Sequence, residues 1–200
     1  MYSKLPQLVL GFHGCDKSVR DEVVARGGAL VSSQNNYDWL GNGVYFWEQN
    51  CERAYEWASQ QVKWGKVQQP AVIGAVIDLG HCLNLMDSRY LNLLADEYVA
   101  LKEEFDSHGL KMPTNHGKTK DKLFRALDCA VIQHLNDRFD HGGDKCDPFD
   151  SVRGLFLEGG PIYPGSGFMK KTHIQICVRN PNCIKGYFDP REPDSMYAMP

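Results

Sequence analysis

Two short apolar segments, each next to glycines, most constrain what this chain can fold into. The first, 8–12, is partly β-branched and ends just before His13 and Gly14. The second, 44–47, follows a Gly-Asn-Gly turn and carries Tyr45. Apolar runs of this length favour buried strands over helices. The pattern therefore predicts two strands, one with a histidine at its end and one with a central tyrosine.

Helix signals follow each of these strands. Asp16 and Ser18 are candidate N-caps for a helix over 19–26, which a pair of glycines would end. Asn50 is the candidate N-cap for a second helix over 51–63. The first third of the chain thus predicts strand, helix, strand and helix in that order.

The rest of the chain predicts further strands and two amphipathic helices. Strand-like runs cover 70–80, 83–87 and 152–157, and 172–184 predicts a late strand with a following Asn-Pro turn. Helical periodicity covers 88–105 and 121–139. The apolar faces of these helices are Leu91, Leu94, Ala95, Tyr98, Leu101 and Phe105 in the first, and Leu123, Leu127, Ala130, Val131 and Leu135 in the second. We expect both helices to belong to a helical insertion, 88–150, that covers the sheet.

Composition limits the architecture and the partners. The 200 residues, 42% of them hydrophobic, suffice for one sizeable core, so we expect one domain over 1–200. A net charge of -3 provides no overall basic field for nucleic acid. Seven cysteines without a C-x-x-C pair fit a reducing compartment. With no leader pattern and no membrane-length apolar run, the expected location is the cytoplasm, away from the membrane.

The order of these motifs resembles the NAD site of PARP-like ADP-ribosyltransferases. That family has a strand ending in His-Gly, a helix, a Gly-x-Gly turn, an aromatic strand carrying Tyr and a further helix, and the match here covers about 9–58. The resemblance implies an α+β fold of ADP-ribosyltransferase type, with a split antiparallel β-sheet and flanking helices. It also implies NAD as co-substrate and no metal.

The resemblance assigns roles to individual residues. His13 would hold the adenosine ribose 2′-hydroxyl, Gly14 would offer its backbone to the nicotinamide carboxamide, and Tyr45 would stack on the nicotinamide ring. Tyr55 is the candidate for a second aromatic contact, although it stands one residue out of register. The implied NAD-binding set is His13, Gly14, Cys15, Gly43, Tyr45, Arg53 and Tyr55. Taken singly, a strand histidine or tyrosine is more often structural.

The family's third catalytic residue is a glutamate on a late strand, and the matching position here is Gln175. Three interpretations remain open. Gln175 orients the ligand by accepting a hydrogen bond in a transferase of single ADP-ribose units, or Glu158 supplies the carboxylate, or the fold binds the dinucleotide without catalysis. We favour the first, which makes His13, Tyr45, Gln175 and Glu158 the candidate catalytic residues.

Two segments are candidates for contacting an acceptor. The segment 158–168 is rich in glycine and proline and precedes the late strand, where such transferases position their acceptor. The segment 111–122 is the most basic stretch of the chain, although solvated charge runs are common. The candidate contacts are Tyr163, Phe168, Lys170, Lys171, Lys118 and Lys120, which would stack bases and pair phosphates if the acceptor is nucleic acid.

The resemblance extends to bacterial ADP-ribosyltransferase toxins of toxin–antitoxin or antiphage systems. We therefore expect a mono-ADP-ribosyltransferase acting on a macromolecule, with RNA or single-stranded DNA favoured over protein. A toxin of this kind implies an antitoxin or another neutralising partner. The alternatives are a catalytically inert NAD-binding or interaction module and an NAD glycohydrolase.

Three other motifs are set aside. A Cys15–His13 hydrolase pair is disfavoured because close neighbours at a strand end are expected to point apart. The sequence at 117–119 is Gly-Lys-Thr, but Met112 stands where a phosphate-binding loop needs glycine. The segment 140–147 gathers His, Asp and Cys without zinc-ligand spacing, which predicts a surface turn.

Overall fold

The computed structural model describes residues 8–117, 122–141, 147–192 and 194–197. Its regular elements, in chain order, are β1 (Leu8–Asp16), α1 (Lys17–Arg20), β2 (Val44–Glu48), α2 (Cys51–Val62), β3 (Pro70–Asp78), β4 (Cys82–Asn84), α3 (Ser88–Ser107), β5 (Asn115–His116), β6 (Phe124–Arg125), α4 (Ala126–Asp140), β7 (Ser151–Phe156), β8 (His173–Val178) and β9 (Ile184–Phe188). A π-helical turn, Asp21–Ala25, follows α1, and a 3-10 turn, Pro181–Cys183, precedes β9.

Seven strands form one mixed sheet in the order β4-β7-β8-β2-β1-β3-β9, and β5 and β6 form a separate two-stranded ribbon. Within the large sheet only β4 and β7 pair in parallel, whereas the neighbouring pairs elsewhere are antiparallel. The prediction of an α+β protein with a mainly antiparallel sheet is therefore confirmed at this level.

Strands β1 and β2 separate after a short common ladder. They pair only at Gly11 with Glu48 and at Phe12 with Trp47. Beyond Phe12, β1 continues along β3 to its end at Asp16, and the rest of β2 pairs with β8. The sheet is thus open between the second half of β1 and the first half of β2, which we call the β1–β2 gap.

The two faces of the sheet carry different cores. One face buries a cluster that contains Val44 and Phe46 with strand residues of β3 and β8. Because side chains alternate along a strand, Tyr45 and Trp47 lie on the other face. There α4 packs near Tyr45, with Ile132 and Leu135 in the same core, and α2 packs near Trp47 through Ala54. Helix α3 packs in turn against α4.

The predicted helix over 121–139 begins later than expected. Residue 121 lies outside the described residues, and α4 begins only at Ala126, since Phe124 and Arg125 pair with β5. The side-chain oxygen of Asn115 accepts hydrogen bonds from the backbone N–H groups of Leu127 and Asp128 at 2.9 and 3.2 Å. The first turn is thus capped by a residue that is distant in sequence.

The predicted apolar face of α3 is partly wrong. Leu91 and Tyr98 are exposed, whereas Leu101 is buried and the carboxylate of Glu97 is 1% exposed. Glu97 is buried because its oxygens meet Arg138 and His134 of α4, the latter with its Nδ1 2.6 Å away. An ion pair between helices, rather than a purely apolar seam, therefore sets the rotation of α3.

The other boundaries are close to the expected ones. Asp16, Asn50 and Asp87 each accept a hydrogen bond from a backbone N–H in the first turn of α1, α2 and α3. The predicted helix over 19–26 begins earlier, at Lys17, and its second half is the π-helical turn. Within the described parts of the chain, no helix has both the length and the apolar character that membrane crossing requires.

Candidate functional site

His13 lies at the β1–β2 gap and bridges it with its side chain. Its Nδ1 is 2.8 Å from the carbonyl oxygen of Tyr45. A carbonyl only accepts, so Nδ1 carries the proton and Nε2 is left as an acceptor in the neutral ring. Burial lowers the pKa of His13 and outweighs the hydrogen bond to Tyr45, which acts in the opposite direction. The lowered pKa keeps the ring neutral near pH 7.

The hydroxyl of Tyr45 makes two hydrogen bonds within the protein. It donates to the carbonyl of Gly41 at 2.8 Å and accepts from the backbone N–H of Leu40 at 3.0 Å. The ring packs with Leu40, Ile132 and other residues of the α4 core. Burial, the main cause, raises the pKa of Tyr45 well above its ordinary value. Only the ring of Tyr45 is therefore left to contact a ligand.

The Gly-x-Gly turn is required by the way the chain enters β2. Gly41 has φ +80°, a left-handed conformation that favours glycine. A Cβ on Gly43 would lie 2.4 Å from Sγ of Cys177, so the turn passes directly against β8. The glycine signature is thus explained by folding, and Gly43 lies beside β8 at the start of β2.

The close approach predicted for a ligand at Gly14 is made instead by α2. A Cβ on Gly14 would lie 2.2 Å from the backbone oxygen of Ala54. Helix α2 therefore rests on this glycine and covers β1 on the same face of the sheet as Tyr45. A ligand that reaches Gly14 must do so from the gap, beside this helix.

Gln175 lies one strand from Tyr45. It pairs with Trp47 of β2 and with Gly154 of β7, so it stands in the middle of β8 and is partly exposed. Its Oε1 accepts a hydrogen bond of 2.6 Å from the indole Nε1 of Trp39. Three of the four candidate catalytic residues, His13, Tyr45 and Gln175, therefore belong to three consecutive strands.

Glu158 follows the end of β7 and is joined to α2. Its Oε2 is 2.6 Å from Nη2 of Arg53, and both side chains are largely buried. Arg53 also contacts Glu56 at 3.3 Å. The carboxylate that was considered as a replacement for the family glutamate is thus neutralised by an arginine of the implied NAD-binding set.

Sequence reasoning missed an aromatic and cationic group around Gln175. Trp39 contacts Phe156 edge to face, with 4.9 Å between ring centroids, and Arg125 lies over both rings. His173 stacks on Phe156 at 5.5 Å. The group joins the segment before β2, ribbon β5–β6 and strands β7 and β8. Trp39 stands directly before Leu40-Gly41, and this position next to the Gly-x-Gly turn was the one sequence feature that could have indicated its place at the site.

Two further residues of the implied NAD-binding set are Tyr55 and Cys15. Tyr55 lines a separate surface groove of about 510 Å³, together with Lys17 and Arg20. Cys15 shares a face of β1 with His13, so the expectation that their side chains point apart is wrong, because residues two apart in a strand point the same way.

The Cys15 thiol is nevertheless unsuited to nucleophilic chemistry. It is buried against Val23 and Ile73. Burial, assisted by the Asp16 carboxylate, raises the pKa of Cys15 to about 11. Because the thiolate is the reactive form, this cysteine is inert at neutral pH.

The candidate acceptor segment forms a compact hairpin-like loop between β7 and β8. Pro161 and Met169 form an isolated β-bridge, and the backbone N–H of Lys171 donates to the carbonyl of Glu158 at 3.0 Å. Tyr163, Phe168 and Lys170 are exposed at its surface, while the ammonium group of Lys171 lies 4.0 Å from Glu56. Lys118 and Lys120 lie outside the described residues.

No group of three or more His, Cys, Asp or Glu side chains converges on a possible metal position in the described ranges. The predicted turn at 140–147 falls mostly outside those ranges, because residues 142–146 are not described. Its first residue, Asp140, is instead the last residue of α4 and pairs with Arg179 at 2.6 Å.

No protein-family model matches the chain, and no solved structure matches it. A similar protein is the "Uncharacterized protein MJ0359" of Methanocaldococcus jannaschii, which is 27% identical over 192 residues. The similarity covers 87% of this chain and 83% of the relative. Since that name states no activity, the geometry of the β1–β2 gap is the basis for a functional conclusion.

Proposed function

We propose that the chain binds NAD at the β1–β2 gap and transfers a single ADP-ribose to a macromolecular acceptor. One observation carries the proposal: His13, Tyr45 and Gln175 stand on the adjacent strands β1, β2 and β8, and the ladder between the first two strands stops at the histidine. By the resemblance to PARP-like transferases these three positions contact one ligand. His13 lies on the Phe46 face of the sheet and Tyr45 and Gln175 on the other, so the proposed ligand reaches them through the opening.

Nε2 of the neutral His13 ring has no hydrogen-bond partner among the described residues. It can accept a hydrogen bond that a ribose hydroxyl donates. The ring of Tyr45 provides a flat apolar surface for the nicotinamide. In the reaction, the bond between ribose C1′ and the nicotinamide nitrogen breaks, and nicotinamide leaves with the bonding electron pair. A nucleophile of the acceptor then attacks C1′ and loses its proton.

The loop between β7 and β8 supports a nucleic-acid acceptor. It ends directly before β8, the strand that carries Gln175, and it presents two exposed aromatic rings, Tyr163 and Phe168, beside Lys170. Aromatic stacking combined with a nearby cation is the usual means of binding unpaired nucleotides. We therefore favour RNA or single-stranded DNA over protein as the acceptor. The toxin or defence role with a neutralising partner rests on the resemblance to bacterial ADP-ribosyltransferase toxins.

A second candidate is an NAD-binding module without turnover. Gln175 is neutral and bonded to Trp39, and Glu158 is paired with Arg53. No unpaired carboxylate has been identified in the described residues beside the gap to stabilise a cationic ribose. NAD binding without nicotinamide release, whatever the acceptor, would favour this candidate.

The test is incubation of the purified protein with NAD labelled in the adenosine half and a total cell extract, followed by separate nuclease and protease treatment. The proposal predicts label that nuclease removes, and free nicotinamide in equal amount. The variant Tyr45→Ala should give neither, whereas Tyr98→Ala, a change on the exposed side of α3, should behave as the unaltered protein.

Each other outcome has a distinct meaning. Label removed by protease alone would replace the nucleic-acid acceptor with a protein. Nicotinamide release without labelled macromolecule would indicate a glycohydrolase. Intact NAD in every extract would contradict transferase activity.

A further inference from the structure

The hydrogen bond between Trp39 and Gln175 fixes the orientation of the glutamine amide. The indole Nε1 of tryptophan is a donor only, so the partner 2.6 Å away must be the amide oxygen, Oε1. The NH₂ group of Gln175 then faces away from Trp39, and it has no hydrogen-bond partner among the residues that the structure describes. Gln175 is partly exposed, which leaves this donor group accessible.

Trp39 is itself held in place from three sides. A Cβ on Gly154 would lie 2.8 Å from Cη2 of the indole, so the ring rests on the backbone of β7. Phe156 contacts it edge to face, and the guanidinium of Arg125 lies 5.3 Å from its ring centroid. Arg125 is also paired with Asp128 at 3.2 Å. The indole N–H is thus directed at Gln175 by packing and not by that single bond.

We infer that Trp39 is a positioning residue that makes Gln175 a hydrogen-bond donor, so that the site binds an acceptor oxygen of its ligand there. The chemical class is a ligand oxygen with free lone pairs, such as a phosphate, carbonyl or ribose oxygen of a nucleotide. The second lone pair of Oε1 remains, so the sequence-based expectation that Gln175 accepts a bond from a ribose hydroxyl is compatible with this donor role. The identity of the ligand as NAD rests on the proposed function.

The inference gives the site two different polar groups. His13 presents an acceptor nitrogen on the face of the sheet that carries Phe46, and Gln175 presents a donor NH₂ on the opposite face, which carries Tyr45 and Trp47. A glutamate at position 175 would take the same indole bond but present a charged acceptor in place of the donor. The change from Gln175 to Glu therefore replaces a hydrogen-bond donor with an acceptor while the side chain keeps almost the same shape.

The test uses NMR spectroscopy of the ¹⁵N-labelled full chain, with the indole N–H signal of Trp39 assigned from Trp39→Phe. In the absence of ligand, Gln175→Leu should move this signal and speed its exchange with water. The matched control Trp64→Phe, at an indole that is 66% exposed, should leave the Trp39 signal unchanged.

Ligand polarity is then measured by titrating NAD, ADP-ribose and inorganic pyrophosphate separately. At least one should shift the side-chain NH₂ signals of Gln175. Gln175→Glu should weaken that binding by about tenfold or more, because it removes a hydrogen bond worth about a kcal/mol and its carboxylate repels an anionic ligand. Trp39→Phe should weaken binding less, because the Gln175 donor remains and loses only its orientation.

An unchanged Trp39 signal in Gln175→Leu would overturn the inference, as would tighter binding in Gln175→Glu or no shift of the Gln175 NH₂ signals with any of the three ligands. If ADP-ribose or pyrophosphate shifts these signals while NAD does not, the inference stands and the proposed function fails. The two claims are therefore separable.

Discussion

At the scale of single residues, His13 and Tyr45 both combine a structural and a proposed ligand-binding role. The Nδ1–H of His13 satisfies the carbonyl of Tyr45, which has lost its strand partner at the gap, and the hydroxyl of Tyr45 satisfies the turn before β2. These bonds account for both residues without any ligand. These bonds do not involve Nε2 of His13 or the ring of Tyr45, and the NAD proposal uses these two groups.

Removal of the Tyr45 hydroxyl should therefore affect stability. Tyr45→Phe leaves the N–H of Leu40 without its acceptor, while the carbonyl of Gly41 keeps the contact from Cys177 Sγ at 3.5 Å. An unsatisfied buried polar group costs about 1–3 kcal/mol. We expect a loss of that size in the free energy of unfolding measured in urea. Tyr163→Phe, at an exposed ring, should change it by less than about 0.5 kcal/mol.

The histidines predict how stability depends on pH. Burial lowers the pKa of both His13 and His173 below the ordinary value of 6.5. At a pH between the lowered pKa of the native protein and the ordinary pKa of the unfolded chain, the unfolded chain binds protons that the native protein does not. The free energy of unfolding should therefore fall as the pH drops through about 6.5, by at most about 1.4 kcal/mol per pH unit for each histidine.

Urea unfolding at pH 7.5 and 5.5 checks this expectation. His173→Asn, which retains a donor near the position of Nδ1, should reduce the pH dependence, and His108→Asn on the exposed end of α3 should not. An identical pH dependence in His173→Asn and the unaltered protein would contradict the assignment.

At the scale of elements, the docking of α2 onto β1 depends on one glycine. Gly14→Ala places a methyl group 2.2 Å from the backbone oxygen of Ala54, and a helix backbone cannot move aside cheaply. We expect a loss of about 1–3 kcal/mol or more in the free energy of unfolding, from urea titration. Gly167→Ala, which has open space around it, should be close to neutral. Equal stability of the two variants would show that α2 does not rest on Gly14.

Capping residues predicted the start of a helix correctly where the cap lies next to that helix in the sequence. Asn50 and Asp87 cap their helices as expected, since an N-cap acts within one turn. The start of α4 could not be predicted, because its cap comes from Asn115 across a ribbon of two short strands. The rotation of α3 was also missed, because a pattern of apolar residues does not reveal that Glu97 is buried against Arg138.

At the scale of the whole molecule, the order of the strands brings distant segments to one opening. Strands β1 and β2 were identified from their glycines and apolar runs, but nothing in the local sequence indicates that β8 inserts beside β2 or that Trp39 reaches Gln175. Such contacts depend on the complete sheet. The sequence therefore predicted His13, Tyr45 and Gln175 as candidates, whereas the hydrogen bond from Trp39 that orients the Gln175 amide required the structure.

The central claim is that the β1–β2 gap binds NAD through His13, and calorimetric titration of NAD tests it most directly. His13→Asn retains a donor toward the carbonyl of Tyr45 but removes the Nε2 acceptor. We predict measurable NAD binding that this variant weakens by about tenfold, the effect of one lost hydrogen bond to an otherwise unpaired group, while His108→Asn binds NAD normally. Absence of NAD binding to the unaltered protein, or equal binding by His13→Asn, would contradict the account.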